Sequence, residues 1–333
     1  MVAMNPDVAR LTELVRQEGS FFLRVQEEVG KVVVGQKVMV ERILMGLLTG
    51  GHVLLEGLPG LAKTLTVKTV ADVIDIKFNR VQFTPDLLPS DLTGTMIYSQ
   101  KTGEFTPKKG PVFTNILLAD EINRAPAKVQ AALLECMGEK QVTIGEQSYK
   151  LEEPFLTLAT MNPIEQEGTY NLPEAQLDRF MFKVVVGYPN RFEEMKVLER
   201  QAGGDAAKVT PQATAAQILK ARSICNAIYM DPKVKEYILD IVFATREPKA
   251  RKEMKEFENL IAIGASPRAT ISLARGAKAK AFLEGRGFVT PDDVKAVALD
   301  ILRHRIALTF EAQAEDVTTP TVIRKVLSVI PAP

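Results

Sequence analysis

The chain has 333 residues, of which 46% are hydrophobic and 25% charged, a composition typical of a globular protein with room for two domains. Its 42 Lys and Arg side chains balance 41 Asp and Glu to a formal net charge of +1, so there is no overall basic field that would attract nucleic acid. Two cysteines and two histidines exclude a disulfide framework and a metal-ligand cluster, and neither a membrane span nor a secretory signal is visible, which predicts a soluble, cytoplasmic protein.

The chain begins with apolar residues at helical spacing. Residues 7–18 form the first predicted helix, which we expect Gly19 to end. Ser20 is then expected to cap a second helix that continues to Val29. A third apolar-periodic helix ends near Leu48.

Alternation of strands and helices follows. Continuous apolar strands separated by helices predict a parallel sheet that is covered on both faces. The predicted strands are His52–Leu55, Arg80–Phe83, Ile116–Ala119, Phe155–Thr160 and Phe182–Val186. Two hairpins interrupt this plan, because short alternating runs flank turn sequences. The hairpins pair Thr95–Ser99 with Glu104–Thr106 and Gln141–Ile144 with Gln147–Leu151.

Strand signals stop after residue 188. A polar linker is predicted over Gly203–Gln212, and the remainder is typical of helices. Three of them have a capping side chain followed by proline at the first helical position, namely Asp231-Pro232, Ser266-Pro267 and Thr290-Pro291. The sequence therefore predicts an α/β domain followed by a smaller all-helical domain.

A phosphate-binding loop is the strongest motif. Gly-Leu-Pro-Gly-Leu-Ala-Lys-Thr (57–64) follows an apolar strand and begins a helix, so its backbone N–H groups and the helix N-terminus would bind phosphates. Lys63 would contact the β- and γ-phosphates, and the Thr64 hydroxyl would ligate Mg²⁺. Ala62 stands where the general pattern has a second glycine, so the loop alone could be a chance match or a structural turn. The predicted nucleotide-binding residues here are Gly57, Leu58, Pro59, Gly60, Leu61, Ala62, Lys63, Thr64 and Leu65.

Two carboxylates at the end of a buried strand supply the second half of such a site. Asp120 would hold Mg²⁺ through water, and Glu121 would orient and polarise the attacking water. Acidic residues at strand ends are often only surface residues, and the phosphate-binding loop upstream favours the functional interpretation. Asn162 follows the next strand and could hydrogen-bond the attacking water or the γ-phosphate, or only form a turn before Pro163.

Two arginines complete the predicted set. Arg179 precedes the last strand and is a candidate arginine finger for the γ-phosphate of a neighbouring subunit, or else an ordinary surface residue. Arg268 lies in the first turn of a predicted helix, where a cation opposes the helix dipole. That placement favours an anionic partner such as a phosphate, although a solvated side chain would lose only a few tenths of a kcal/mol.

In this order the motifs resemble those of AAA+ ATPases: Walker A, Walker B, sensor-1, arginine finger and sensor-2. The residues within these motifs, including the alanine at position 62, resemble those of the MoxR family. The matching segments are residues 57–64, Asp-Glu-Ile-Asn-Arg-Ala (120–125), Ala-Thr-Met-Asn-Pro (159–163), Leu-Pro-Glu-Ala-Gln-Leu-Asp-Arg-Phe (172–180) and Ser-Pro-Arg-Ala (266–269). The two hairpins match the helix-two insert and the pre-sensor-1 insert of that clade.

The resemblance implies a P-loop AAA+ core with a five-stranded parallel sheet and hairpin inserts, followed by a helical lid. The expected domains are N-terminal helices (1–30), the nucleotide-binding domain (31–188) and the lid (189–333). ATP and Mg²⁺ would bind between core and lid, with Val34, Gly35 and Gln36 at the adenine. Subunits would form a ring, expected to be a hexamer, in which Arg179 completes the neighbour's site.

The family also implies an ATP-driven chaperone that remodels or matures a separate protein client beside a protein with a von Willebrand factor A domain. Loss of the γ-phosphate would be sensed by Arg179 and Arg268 and would free the lid. The sequence predicts polar hairpin tips, near Met96–Lys101 and Gly145–Gln147. Polar tips predict that the client is remodelled without being fully threaded through the ring. A nucleic-acid motor and a nucleotide-gated scaffold with little turnover remain as alternatives.

Overall fold

The structure is a computed structural model that describes residues 6–101, 103–164, 169–202 and 208–333. The strands are β1 (Val53–Gly57), β2 (Phe78–Gln82), β3 (Gly94–Ser99), β4 (Glu104–Lys109), β5 (Ile116–Asp120), β6 (Gln141–Ile144), β7 (Gln147–Lys150), β8 (Leu156–Met161), β9 (Phe182–Val186), β10 (Ile261–Ile263) and β11 (Ala307–Leu308). The predicted linker Gly203–Gln212 lies partly outside the described residues.

Helices make up most of the remaining chain. They are α1 (Pro6–Val32), α2 (Lys37–Thr49), α3 (Lys63–Ile74), α4 (Pro89–Thr93), α5 (Ala127–Glu139), α6 (Glu174–Leu177), α7 (Arg191–Ala202), α8 (Ala215–Ala227), α9 (Pro232–Arg246), α10 (Pro267–Leu283), α11 (Pro291–Leu302), α12 (Phe310–Ala314) and α13 (Thr319–Val329). None of those in the described part of the chain combines the length and hydropathy of a membrane span.

The chain forms two compact units. The first, which we call the α/β unit, comprises Leu23–Phe180 and Val184–Leu219. The second, which we call the helical unit, comprises the chain up to Phe22, the short segment Met181–Lys183, and Lys220–Pro333.

A five-stranded sheet in the order β2-β5-β8-β1-β9 forms the centre of the α/β unit, and the five strands match the predicted ones. Neighbours β2 and β5, β5 and β8, and β8 and β1 pair in parallel. Every residue of β5 is buried, which explains why it appears in the sequence as an unbroken apolar run. The predicted parallel sheet is confirmed, and its order puts the strand before Asn162 between the other two motif-bearing strands.

Both predicted hairpins are present, as β3–β4 and β6–β7. The prediction that the tip of the first hairpin is polar, near Met96–Lys101, is wrong. Tyr98 and Phe105 face each other across β3 and β4 with ring centroids 5.3 Å apart, and both side chains are more than half exposed. Aromatic cross-strand pairs stabilise a two-stranded ribbon. The sequence did not reveal this pair because the two rings are seven residues apart and meet only when β3 pairs with β4.

The predicted break at Gly19 is wrong, because α1 continues for 27 residues through this position. Glycine weakens a helix interior by about 1 kcal/mol relative to alanine. Here packing requires it, since a Cβ atom on Gly19 would lie 3.1 Å from the ring of Phe282. Ser20 does not cap a new helix, and its hydroxyl donates to the Gln17 carbonyl at 3.1 Å.

The helical unit confirms the predicted helix starts, since α9, α10 and α11 begin at Pro232, Pro267 and Pro291. It is not purely helical, however. The short strands β10 and β11 pair antiparallel within it. Strands of three and two residues are too short to give a period-two pattern, so the sequence did not reveal them.

Candidate functional site

The carboxyl ends of β1, β5 and β8 meet at one edge of the sheet and surround a cavity of about 370 Å³. Open parallel sheets bind ligands at this edge, because the loops that follow the strands leave a crevice there. The lining consists of Pro59, Gly60, Leu61, Ala62, Lys63, Thr64, Leu65, Arg80, Asp120, Glu121, Thr160 and Asn162. The cavity therefore brings together the loop, the two carboxylates and Asn162 that the sequence singled out separately.

Lys63 lies at the first position of α3, inside the curve of the loop. Its ammonium group donates to the carbonyl oxygens of Gly57 and Leu58, the second at 3.0 Å. Burial lowers the pKa of Lys63, and the nearby charges of Asp120 and Glu121 oppose that shift. Gly57 and Leu58 thus contribute to the site by orienting this lysine. Phosphate oxygens at the helix N-terminus would accept the hydrogen bonds that Lys63 now donates to these two carbonyls.

Ala62 adopts the left-handed conformation, with φ of 55°, directly before α3. The general motif has glycine here because glycine populates positive φ without steric cost. An alanine held there costs roughly 1–2 kcal/mol, and such strain is common at ligand-binding loops. The backbone of this loop thus has the phosphate-binding shape although its sequence departs from the pattern.

We expect Ala62→Gly to leave stability unchanged or to raise it by up to about 1 kcal/mol, because relief of the left-handed strain offsets the greater freedom of the unfolded chain. The matched control is Ala131→Gly at an exposed position inside α5, which is expected to destabilise by about 1 kcal/mol. Urea unfolding followed by circular dichroism measures both. Equal destabilisation by the two changes would contradict the assigned strain.

Both oxygens of the Asp120 carboxylate accept hydrogen bonds from neighbouring strands. The Thr160 hydroxyl on β8 donates to Oδ1 at 2.6 Å, and Arg80 on β2 donates to Oδ2 through Nε at 2.9 Å and Nη2 at 2.6 Å. The same Thr160 hydroxyl accepts from the backbone N–H of Glu121 at 2.8 Å. These contacts fix the carboxylate at the floor of the cavity.

Glu121 follows the strand in a left-handed conformation, with φ of 56°. Its Oε2 accepts from Gln82 Nε2 at 2.7 Å and lies 3.3 Å from Arg124. Asn162 lines the same cavity, and its carboxamide oxygen accepts from the Ile164 N–H at 3.2 Å. Both interpretations of Asn162 are therefore compatible, because one side chain forms the turn and borders the cavity.

The donor set suits magnesium delivered with a nucleotide. The Thr64 hydroxyl and the Asp120 carboxylate border one cavity, and Mg²⁺ in phosphate sites takes one or two protein oxygens together with phosphate oxygens and water. Within the described ranges, no group of three or more His, Cys, Asp or Glu side chains could hold a metal by itself. The chain thus fits an ion that the phosphates help to ligate.

Val34 and Gly35 border a different cavity of about 450 Å³ in the α/β unit, and its lining shares no residue with the first. Gly35 has φ of 69°, and a Cβ atom there would lie 3.0 Å from the Glu193 carboxylate. Gln36 is also left-handed and precedes α2. Lys196 and Arg200 of α7 border this second cavity too. The adenine contact of the three residues remains a prediction.

The two predicted arginines belong to different units, Arg179 to the α/β unit and Arg268 to the helical unit. Among the residues described, the cavity lining does not include Arg179, whose Nη1 donates to the Leu134 carbonyl of α5 at 2.7 Å. Arg268 belongs to the helical unit, where its N–H donates to the Ser266 hydroxyl at 3.2 Å and it occupies the first turn of α10, as predicted. Their roles toward a γ-phosphate remain predictions.

Sequence reasoning missed three polar residues of the site. Arg80 and Thr160 line the cavity, and Gln82 contacts Glu121. One signal was available, because Arg80 and Gln82 alternate with the apolar Val81 at the carboxyl end of the half-buried edge strand β2. Their partners became evident only from the pairing of β2 with β5.

The chain matches known proteins over most of its length. Residues 52–182 match the sequence profile of the ATPase family associated with various cellular activities (AAA), and residues 255–326 match the AAA lid domain. The chain is 47% identical to the chaperone MoxR1 of Mycobacterium tuberculosis, covering 92% of this chain and 81% of that protein. It is 32% identical to the protein MoxR of Paracoccus denitrificans, covering 91% and 93% respectively. A crystal structure of a candidate ATPase from Cytophaga hutchinsonii superimposes with a TM-score of 0.90 at 50% identity, over 98% of each chain.

Proposed function

The chain belongs to the MoxR family of AAA+ ATPases, and we propose that it hydrolyses ATP with Mg²⁺ to remodel or mature a separate protein client. One observation carries the proposal: Lys63, Asp120 and Glu121 border a single cavity at the carboxyl edge of a parallel sheet. Phosphoryl transfer needs little more from a protein than positioning and charge stabilisation, and these residues supply both. The two matched profiles fall within the proposed core (31–188) and lid (189–333).

Each side chain has a distinct task in this proposal. Lys63 and the N–H groups of Gly60–Leu65 bind the phosphates, and Thr64 and Asp120 provide oxygens for Mg²⁺, Asp120 through water. When bound, magnesium would supply positive charge that neutralises the phosphates. Glu121 orients and polarises that water, and Asn162 donates to the water or to the γ-phosphate.

A ring of identical subunits, expected to be a hexamer, completes the site in this proposal. Arg179 then acts on the phosphate of the adjoining subunit, and its position outside its own cavity supports that assignment. Arg268 contacts the γ-phosphate as a sensor. An arginine that reaches the transferred phosphate accelerates hydrolysis by about 10³- to 10⁵-fold in other nucleotidases.

The client-directed part of the proposal rests on relatives. One is named a chaperone, and the family resemblance adds a separate partner with a von Willebrand factor A domain. The cytoplasmic location is proposed from the sequence, in which neither a membrane span nor a secretory signal is visible. The hairpins β3–β4 and β6–β7 are the proposed client-contacting inserts. The exposed Tyr98–Phe105 pair gives the first hairpin an apolar surface with which it could contact a client protein.

Co-expression of two inactive variants tests the shared site. Glu121→Gln removes the polarising carboxylate but keeps the arginine, whereas Arg179→Ala does the reverse. In mixed rings about one quarter of the subunit interfaces combine an intact Glu121 with a neighbour's intact Arg179, so we expect about that fraction of wild-type ATP turnover.

The control is each variant expressed alone, where turnover is expected to stay near background. A mixed preparation no more active than its components would contradict the trans role of Arg179. Absence of ATP turnover in the unmodified chain under all assembly conditions would overturn the proposed function itself.

A further inference from the structure

Arg80 binds the Asp120 carboxylate as a cation that belongs to the chain itself. Nε and Nη2 both donate to Oδ2, at 2.9 and 2.6 Å. Oδ1 is engaged by the Thr160 hydroxyl at 2.6 Å. An ionised carboxylate has about four acceptor positions on its two oxygens, so Arg80 fills both positions of one oxygen. The Asp120 side chain is 13% exposed and the Arg80 side chain 48% exposed, so the arginine is the partner that has more access to water.

The same guanidinium is linked to the second acidic residue. Arg80 Nη2 also donates to Gln82 Oε1 at 2.8 Å, and Gln82 Nε2 donates to Glu121 Oε2 at 2.7 Å. Arg80 and Gln82 share one face of β2 because they are two residues apart. The strand pairing places Gln82 beside Asp120 in register, which explains how one strand contacts both carboxylates.

Magnesium would compete with Arg80 for the Asp120 carboxylate. A magnesium-bound water that hydrogen-bonds to Oδ2 must replace at least one of the two Arg80 donors, since that oxygen is saturated. Two positive charges near one carboxylate also repel each other. A half-exposed arginine can turn away at small energetic cost, because water screens an ion pair of this exposure.

We propose that Arg80 is a positioning residue that occupies the Asp120 carboxylate in the empty site and exchanges with magnesium when nucleotide binds. Arg80 thereby sets how strongly nucleotide binding depends on magnesium, and its release frees Gln82 and Glu121 from the shared network. This inference rests on the proposed function, because it assumes that nucleotide and magnesium bind in this cavity.

The test measures the binding of a fluorescent ATP analogue to the full chain, with EDTA and with saturating magnesium. The quantity of interest is the dissociation constant with EDTA divided by the dissociation constant with magnesium. For Arg80→Met, which keeps the length of the side chain and removes its charge, we expect this ratio to rise about threefold to fivefold over the unmodified chain. The magnesium concentration that gives half-maximal binding should fall correspondingly.

Two further variants sharpen the measurement. Arg80→Lys keeps the charge but loses the forked geometry, so an intermediate ratio is expected. Lys77→Met removes an equally large charge next to the same strand, where Lys77 pairs with Glu152 at 2.8 Å, and should leave the ratio unchanged. Circular dichroism and thermal unfolding establish that each variant folds, and Arg80→Lys provides the result if Arg80→Met does not fold.

An unchanged ratio would overturn the inference, and equal weakening with and without magnesium would identify Arg80 as a plain phosphate ligand. In both cases the unmodified chain still binds nucleotide, so the proposed function survives. Failure of the unmodified chain to bind the analogue under either condition would instead overturn the proposed function and the inference together.

Discussion

Glu121→Gln is expected to lower ATP turnover by about 10²- to 10⁴-fold while nucleotide binding persists, because a carboxamide cannot polarise water as a carboxylate does. The exchange is nearly isosteric. The carboxamide oxygen of the new side chain can still accept from Gln82, which now donates to Glu121 Oε2 at 2.7 Å. We expect the left-handed backbone at this position to be unaffected, so the site keeps its shape and loses only the carboxylate that polarises the attacking water.

Steady-state phosphate release measures turnover, and binding of a fluorescent ATP analogue measures affinity. Glu139→Gln, at an exposed position at the end of α5, removes the same charge away from the cavity and should change neither quantity. If Glu121→Gln retains the basal rate, the chain is better described as a nucleotide-gated scaffold. The variant trapped on ATP is also the form with which to capture and identify the protein client.

Lys63→Met is expected to weaken ATP binding by about 10²-fold, because it removes the charge-assisted contacts to two phosphates. Methionine keeps most of the aliphatic stem that packs at the start of α3. The change also removes the donor that now holds the carbonyls of Gly57 and Leu58, so the loop loses an orienting contact. The change also removes the attraction between the Lys63 charge and the carboxylates of Asp120 and Glu121.

Isothermal titration calorimetry with ATP and Mg²⁺ gives the dissociation constants. Lys68→Met is the matched control on the same helix. Lys68 is exposed and pairs only at the surface with Asp72 at 3.2 Å, so an effect of less than about 0.5 kcal/mol is expected. Equal affinities for Lys63→Met and the unmodified chain would exclude this loop as the phosphate-binding element.

Local patterns in the sequence were enough for the fold of the α/β unit. Buried strands such as β5 appear as unbroken apolar runs, and the turn residues between alternating segments predicted both hairpins. Helix starts at Pro232, Pro267 and Pro291 were predictable because capping and proline at the first position are local effects. The pairs β3–β4 and β6–β7 need only neighbouring residues to form.

Errors arose where distant residues decide the local conformation. Gly19 does not end a helix because the Phe282 ring packs against it, and these two residues are far apart in the chain. The short pair β10–β11 likewise joins segments with no pattern of their own. Propensity is a weak local preference of about 1 kcal/mol, which tertiary packing readily overrides.

The sequence by itself determined the order of the motifs, the parallel sheet and the identity of Lys63, Asp120 and Glu121 as the residues of one cavity. It could do so because a phosphate-binding loop and the end of a buried strand are contiguous segments, and parallel strands bring their carboxyl ends to one edge. Only the tertiary structure decided that Arg80 of β2 binds Asp120 and that Gln82 binds Glu121. Those contacts depend on which strand lies beside β5 and in what register, and hydrogen bonding between strands fixes both only when the whole sheet has formed.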